Sequence, residues 1–308
     1  MPKKISANKL RIRDNVSTFI DKILGRQRLT TEEVKSPSEE INAPVEKVKH
    51  FSKPLFWTFG QYQSIGLQRA HNEDALFIFS NYLVHKDQQS FAGFFAVADG
   101  MGGHANGEIA SSLAVQTMGR QVVEKIFNDP ELLSGKTESE AIKEILMDSI
   151  QEANQAIKKD VPGGGTTLTA ILITHQLYVI HVGDSRAYFI PTNGKINILT
   201  HDHSFVRQLV DLGQISPEEA LTHPQRNVLS MALGQWDPLA PDIFTKPIPS
   251  EGHLLICSDG LWSIIPESKL VEIIRNSTSP QQACEELVQA ANDAGGPDNI
   301  TAILISLP

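Results

Sequence analysis

Phe94-Phe95-Ala96-Val97-Ala98-Asp99-Gly100 is an apolar run that ends abruptly in an acid and a glycine. His253-Leu254-Leu255-Ile256-Cys257-Ser258-Asp259-Gly260 repeats the pattern. Two further acidic groups have the opposite polarity: Glu73-Asp74 precedes the apolar segment from Ala75, and Asp298-Asn299 precedes Ile300-Thr301-Ala302-Ile303-Leu304-Ile305. Short runs rich in Val, Ile and Phe read as β-strands. In antiparallel sheets the end of one strand lies beside the start of its neighbour. Acids at two strand ends and two strand starts can therefore gather on one edge. A single Asp-Gly after a strand is an ordinary turn, but four acidic groups with matched polarity ask for another reason.

Around these segments, strands are expected at Phe56–Ile65, Ala75–Ser80, Ala92–Ala98, Thr166–Thr174, Leu177–Val182, Ala187–Ile190, His253–Ser258 and Asn299–Leu307. The three between 166 and 190 have connections too short for crossover helices, so they must run antiparallel. Helical spacing covers Gly107–Phe127, with Ile109, Leu113, Val122 and Ile126 along one face. It also covers Glu138–Lys159, with Ile142, Ile145, Leu146, Ala153 and Ile157, opened by the capping box Thr137-x-x-Glu140. Ser216-Pro217 and Ser279-Pro280 mark two more helix starts, with Pro at the first helical position. Strands in runs and helices in pairs predict an α+β fold with antiparallel sheets covered by helices.

The chain has 308 residues, 41 % of them hydrophobic, which suffices for a substantial core and argues against disorder over most of its length. No apolar run approaches the ~20 residues needed to cross a bilayer. The polar, basic N-terminus lacks a signal-peptide core, so a cytoplasmic protein is expected. Residues 1–30 carry eight Lys or Arg against two Asp, and residues 31–50 three basic against five acidic. The formal net charge of −9 therefore leaves −13 on residues 51–308. So acidic a body is unsuited to gripping phosphate backbones, and nucleic acid is disfavoured as the main partner. Between Leu10 and Leu24 the apolar Ile12, Val16, Phe19, Ile20, Ile23 and Leu24 recur at helical spacing among basic residues. This amphipathic helix suits an anionic membrane surface or a partner, or equally its own domain. Pro37, Pro44 and Pro54 among Ser, Glu and Lys mark a linker. The expected division is an extension and linker over residues 1–54 and a catalytic domain over 55–308.

Crowded carboxylates beside an apolar core repel one another and need a cation or protons. With no Cys or His at these positions the donors are oxygens, which favours Mg²⁺ or Mn²⁺ over zinc. Two such ions sharing a carboxylate can activate water and neutralise a phosphoryl group under in-line attack. Arg69, four residues before Glu73, is suited to bidentate contact with phosphate. His201-Asp202-His203-Ser204 is not expected to be a metal cluster, because adjacent strand residues point apart; it reads as a loop capping a helix from Phe205. Gly163-Gly164-Gly165-Thr166 lacks the Lys of a nucleotide-binding loop. Cys257 and Cys284 have no Arg six residues on, which argues against a cysteine-phosphatase mechanism, and both are expected in the core.

Arg69-Ala-His-Asn-Glu73-Asp74, Asp99-Gly-Met-Gly-Gly-His104, Gly164-Gly-Thr-Thr-Leu168, Val182-Gly-Asp-Ser-Arg186, Ser258-Asp259-Gly260 and Asp298-Asn299 occur in one order. Over roughly residues 57–307 the chain resembles the metal-dependent protein phosphatases of type 2C, in particular their bacterial branch. The resemblance implies a four-layer α-β-β-α sandwich, with two central antiparallel sheets flanked by helix pairs. It implies hydrolysis of phosphoserine and phosphothreonine in proteins by direct water attack. By position, Asp99 would bridge two core ions, Mn²⁺ or Mg²⁺, and Gly100 would offer its carbonyl. Asp259 and Asp298 would hold one ion, Glu73 the other through water, with Asp74 in the same ligand set, and Arg69 would receive the phosphate. Asp160 would help hold a weaker third ion. Eukaryotic members have a His, their proposed general acid, where Met101 stands; Met cannot donate a proton, which leaves His104 or a bound water. The partners implied are phosphorylated proteins and a cognate Ser/Thr kinase. The segment from His201 to about Gly234 corresponds to the family's variable flap. An inactive relative that binds phosphoproteins is the alternative, and the presence of Glu73, Asp74, Asp99, Asp259 and Asp298 distinguishes the two.

Overall fold

The structure, a computed structural model, describes residues 57–85, 88–102, 105–133, 135 and 139–307. The amphipathic helix and linker expected within residues 1–54 lie outside the described residues, as do Thr137 of the expected capping box and His104. Along the chain come β1 (Thr58–Ser64), β2 (Asp74–His85), β3 (Gln88–Met101) and the helices α1 (Ala105–Val122), α2 (Pro130–Leu133) and α3 (Ser139–Asp160). Next are β4 (Gly165–Thr166), β5 (Leu168–Ile173), β6 (Leu177–Val182), β7 (Arg186–Ile190) and β8 (Asn197–Ile198), then α4 (Phe205–Asp211) and α5 (Pro217–Thr222). The chain closes with β9 (Asp242–Lys246), β10 (Gly252–Cys257), α6 (Asp259–Trp262), α7 (Glu267–Asn276), α8 (Pro280–Asp293) and β11 (Ile300–Leu307).

The strands form two antiparallel sheets. One has the order β2-β3-β5-β6-β9, with β4 beside β3; the other has the order β1-β11-β10-β7-β8. Side chains alternate across each strand, and the alternation builds the layers. On β3, Phe95 and Val97 face the core between the sheets, while Phe94, Ala96 and Ala98 face α1 and α3. On β11, Ile303 and Ile305 face the inter-sheet core, while Ile300, Ala302 and Leu304 face α7 and α8. The helices answer with apolar stripes: Ile142, Leu146, Ile150, Ala153 and Ile157 on α3, and Ala283, Cys284, Leu287, Val288 and Ala291 on α8. Burying each Leu or Ile contributes about 1.5–3 kcal/mol. The result is the four-layer α-β-β-α sandwich. Ser216 forms a full capping box with Glu219, and Ser279 and Ser204 cap α8 and α4 as their sequences suggest.

Some expectations need correction. Ile109 is 51 % exposed, because α1 turns Ala110, Ala114 and Met118 onto the sheet instead. The strand at 186–190 does not pair with β6: the chain leaves one sheet at Val182, passes Gly183-Asp184-Ser185, and pairs with β10 in the other. A short connection can thus join two sheets as well as two neighbours. The edge strand β9, half polar, carried no clear apolar alternation and was not expected.

Candidate metal centre and active site

The strand pairings gather the acids on one edge. In the β2–β3 register Asp74 sits opposite Asp99, and Gly100 N donates to Glu73 O at 3.1 Å. In the other sheet β10 and β11 are neighbours, so Asp259, just past β10, meets Asp298, just before β11. Gly260 permits this approach, since a Cβ there would overlap the Asn299 carbonyl. Asp184 arrives from the crossing between the sheets. Together Glu73, Asp99, Asp184, Asp259 and Asp298 line a cavity of about 390 Å³, with Arg69 at its mouth. Among the described residues no three Asp, Glu, His or Cys side chains close on a single point; the acids ring the cavity instead.

The Thr-Thr motif holds the central acid. Asp99 O accepts from Thr166 Oγ1 and Thr167 N, both at 2.9 Å, and Asp99 N donates to Thr167 Oγ1 at 2.9 Å. Thr167 Oγ1 in turn shares a 2.8 Å hydrogen bond with Ser185 Oγ beside Asp184. Burial, followed by the charges of Asp74 and Asp259, pushes the Asp99 carboxyl well above its ordinary range. Burial and then Asp259 do the same to Asp184, and burial and then Asp298 lift Asp259 to about 6. Asp259 Oδ1 is buried without a hydrogen-bond partner. Mutual repulsion, an orphaned buried oxygen and an all-oxygen donor set are what hard divalent ions would relieve. The residues fit such ions.

Arg69 Nη2 donates to Asp298 Oδ2 at 2.6 Å and is about half exposed, its charge reinforced mainly by that bond. Asn299 fixes the loop that carries it. Asn299 Nδ2 donates to Ile65 O (2.8 Å) and His71 O (2.9 Å), and its Oδ1 accepts from Glu73 N at 2.8 Å. The carboxylate neighbour of Glu73 has a different task. Asp74 Oδ2 accepts from Ser258 Oγ at 2.8 Å and Thr301 Oγ1 at 2.6 Å, both from the opposite sheet. Burial lifts its carboxyl to about 7 despite these two hydroxyls.

The structure brings Arg69, Glu73, Asp99, Gly100, Asp259 and Asp298 together on the cavity wall. Asp74, expected in the ligand set, does not line it: it shares the inter-sheet face with Asp99, but its Oδ2 is taken up by the inter-sheet bonds above, and its Oδ1 is buried without a hydrogen-bond partner. Asp160 is exposed at the end of α3 and lines neither this cavity nor its neighbour. Asp184 was not foreseen as a site residue. The signal was present, since Asp184 follows the apolar strand Leu177–Val182 as Asp99 and Asp259 follow theirs. Asn227, Thr167 and His71 also line the cavity. The two cysteines are free and buried.

A family model described as protein phosphatase 2C matches residues 68–304. The serine/threonine phosphatase stp of Listeria innocua is 38 % identical over 247 residues, covering 78 % of this chain and 92 % of that protein. The solved serine/threonine phosphatase of S. agalactiae superposes with a TM-score of 0.70 at 30 % identity, covering 82 % of this chain and 100 % of that one. A solved catalytic domain of the serine/threonine protein phosphatase PstP, in complex with two manganese ions, gives 0.64 at 29 % identity over 82 % of this chain and 98 % of that one. Sandwich, ring of acids and sequence likeness agree, and the chain belongs to the protein phosphatase 2C family.

Proposed function

We propose that this chain is a metal-dependent phosphatase that hydrolyses phosphoserine and phosphothreonine esters in proteins, at the cavity between its two sheets. One observation carries the reading: carboxylates from both sheets ring a cavity whose mouth holds a half-exposed guanidinium tied to one of them. Asp99 with the Gly100 carbonyl, Glu73, Asp259 and Asp298 are the residues that would hold two core ions, Mn²⁺ or Mg²⁺. A weaker third ion would draw on Asp184, which lines the cavity, before Asp160, which does not. Bound there, such ions supply an activated water and neutralise charge on the phosphoryl group.

The chain's own groups do the rest. Arg69 binds two non-bridging phosphate oxygens through its planar fork, and Asp298 orients that fork. Thr166 and Thr167 fix the Asp99 backbone, so its carboxylate would be held in place for the ions without reorganisation. The departing serine or threonine oxygen needs a proton, which Met101 on the cavity wall cannot give. His104 is the donor the sequence offers, and His71 is the imidazole that lines the cavity among the described residues. Gln replacements made one at a time separate these two.

Phosphorylated proteins are the substrates proposed, in the cytoplasm and opposite a Ser/Thr kinase. No helix among the described residues is long and apolar enough to cross a membrane. Residues 1–54 are proposed as a separate extension that contacts a membrane surface or a partner. The test is phosphate release from a phosphoserine peptide and from p-nitrophenyl phosphate with Mn²⁺, with Mg²⁺, or with EDTA. Chelation should abolish both reactions; activity that survives it refutes the mechanism.

A further inference from the structure

Resting on that reading, we propose that His203 is a positioning residue that locks the segment 205–230 onto the turn carrying Asp184. The turn is the crossing between the sheets, and it starts at Gly183 with a left-handed φ of 106°. His203 holds Gly183 on both sides. Its main-chain N donates to Gly183 O at 2.6 Å, and Gly183 N donates to His203 Nδ1 at 3.2 Å. The carbonyl of His203 accepts from Ser230 N at 2.9 Å, which fixes the far end of the segment.

The flanking residues extend the clasp. Asp202 accepts from Arg186 Nε at 2.9 Å and Nη2 at 2.7 Å, which secures the other end of the turn. Ser204 caps α4 through Arg207 N and bridges Leu229. Three consecutive residues thus bind the turn 183–186 to both ends of the segment 205–230. Both partners reach the site: Asp184 and Asn227 each line the catalytic cavity and the larger groove of about 700 Å³ beside it. His203 joins two of its walls.

The imidazole contributes something specific. Because Nδ1 accepts from Gly183, the ring proton sits on Nε2, which faces Asp242 Oδ2 at 3.4 Å. Asn places an oxygen where Nδ1 stands and can keep the Gly183 bond. Gln reaches instead toward Asp242 and leaves the Gly183 N–H without its acceptor. A role in packing alone would treat the two substitutions alike.

The experiment compares wild type, His203→Asn, His203→Gln and His203→Ala in the full chain. Amide hydrogen exchange is followed over residues 182–186 and 205–230, and p-nitrophenyl phosphate hydrolysis is titrated with Mn²⁺. His203→Asn should keep near-wild-type protection in both segments and most of the activity. His203→Gln and His203→Ala should lose protection in both together. They should also need roughly tenfold more Mn²⁺ for half-maximal rate, the usual scale when a residue supporting a metal site is removed, with KM for the small substrate little changed. Equal protection and equal metal dependence in the Asn and Gln variants would overturn the proposal, as would a wild-type-like Ala variant. If wild-type hydrolysis ignores chelation, the phosphatase reading fails, while the exchange comparison still decides the role of His203.

Discussion

Asn299→Ala should separate the loop that carries Arg69 from the sheet that holds Asp298. The side chain is 5 % exposed and makes three hydrogen bonds, two donated to the Ile65 and His71 carbonyls and one accepted from Glu73 N. Ile65 and His71 are exposed residues, so water can replace part of what their carbonyls lose. At about 1 kcal/mol net per bond the cost is about 3 kcal/mol, which for a domain of this size lowers Tm by roughly 6–12 °C. Urea unfolding in EDTA measures this without a contribution from metal. The kinetic signature is a rise in KM for a phosphopeptide at saturating Mn²⁺, larger than the fall in kcat, because Arg69 rides on the released loop. Asn299→Asp is the sharper companion. It retains the acceptor for Glu73 N but sets a carboxylate against two carbonyls and beside Asp298, so its destabilisation in EDTA should exceed that of Ala. An Ala variant within about 0.5 kcal/mol of wild type with unchanged KM would refute the argument.

Asp259→Asn should lower kcat by on the order of 10²-fold or more yet raise the unfolding free energy in EDTA, since it removes one of several repelling charges; a loss of both would contradict the crowding. In EDTA the wild type should lose stability as pH rises from about 4 to about 8. Burial holds Asp259 at about 6 and Asp74 at about 7, so over that window the folded chain keeps protons that the unfolded chain has released. Thermal melts across that range should fall with pH in EDTA and flatten when Mn²⁺ is added. Arg69→Ala should raise KM and weaken inhibition by inorganic phosphate, with partial rescue by Lys; unchanged values in both assays would remove Arg69 from the site. Removing residues 1–54 should leave hydrolysis of p-nitrophenyl phosphate intact, and loss of folded protein would show that the extension belongs to the core.

The apolar runs and the acids that punctuate them made most of this architecture legible in advance. Asp99 and Asp259 were readable because each ends an uninterrupted apolar strand, and Asp298 because it opens one. What escaped were features decided by tertiary geometry. Asp74 shares its strand start with Glu73, yet its Oδ2 is taken up by Ser258 and Thr301 of the opposite sheet. Asp184 was hidden by a connection short enough to pass for a hairpin turn, which in fact carries the chain from one sheet to the other. Ile109 kept the helical spacing but lost its place to Ala110 and Ala114, whose small side chains let α1 approach the sheet.

The ring of acids draws Asp99 from one sheet, Asp259 and Asp298 from the other, and Asp184 from the strap between them. Any ion held there would be a removable rivet at the shared edge of the two sheets. Its binding free energy then adds to the cohesion of the two halves, growing with the logarithm of free metal once the dissociation constant is exceeded. A shortage of metal would be felt first along that edge, where Asp74 meets Ser258 and Thr301 across the two sheets. For such a molecule, the ambient supply of divalent cation would set mechanical stiffness and catalytic capacity with a single dial.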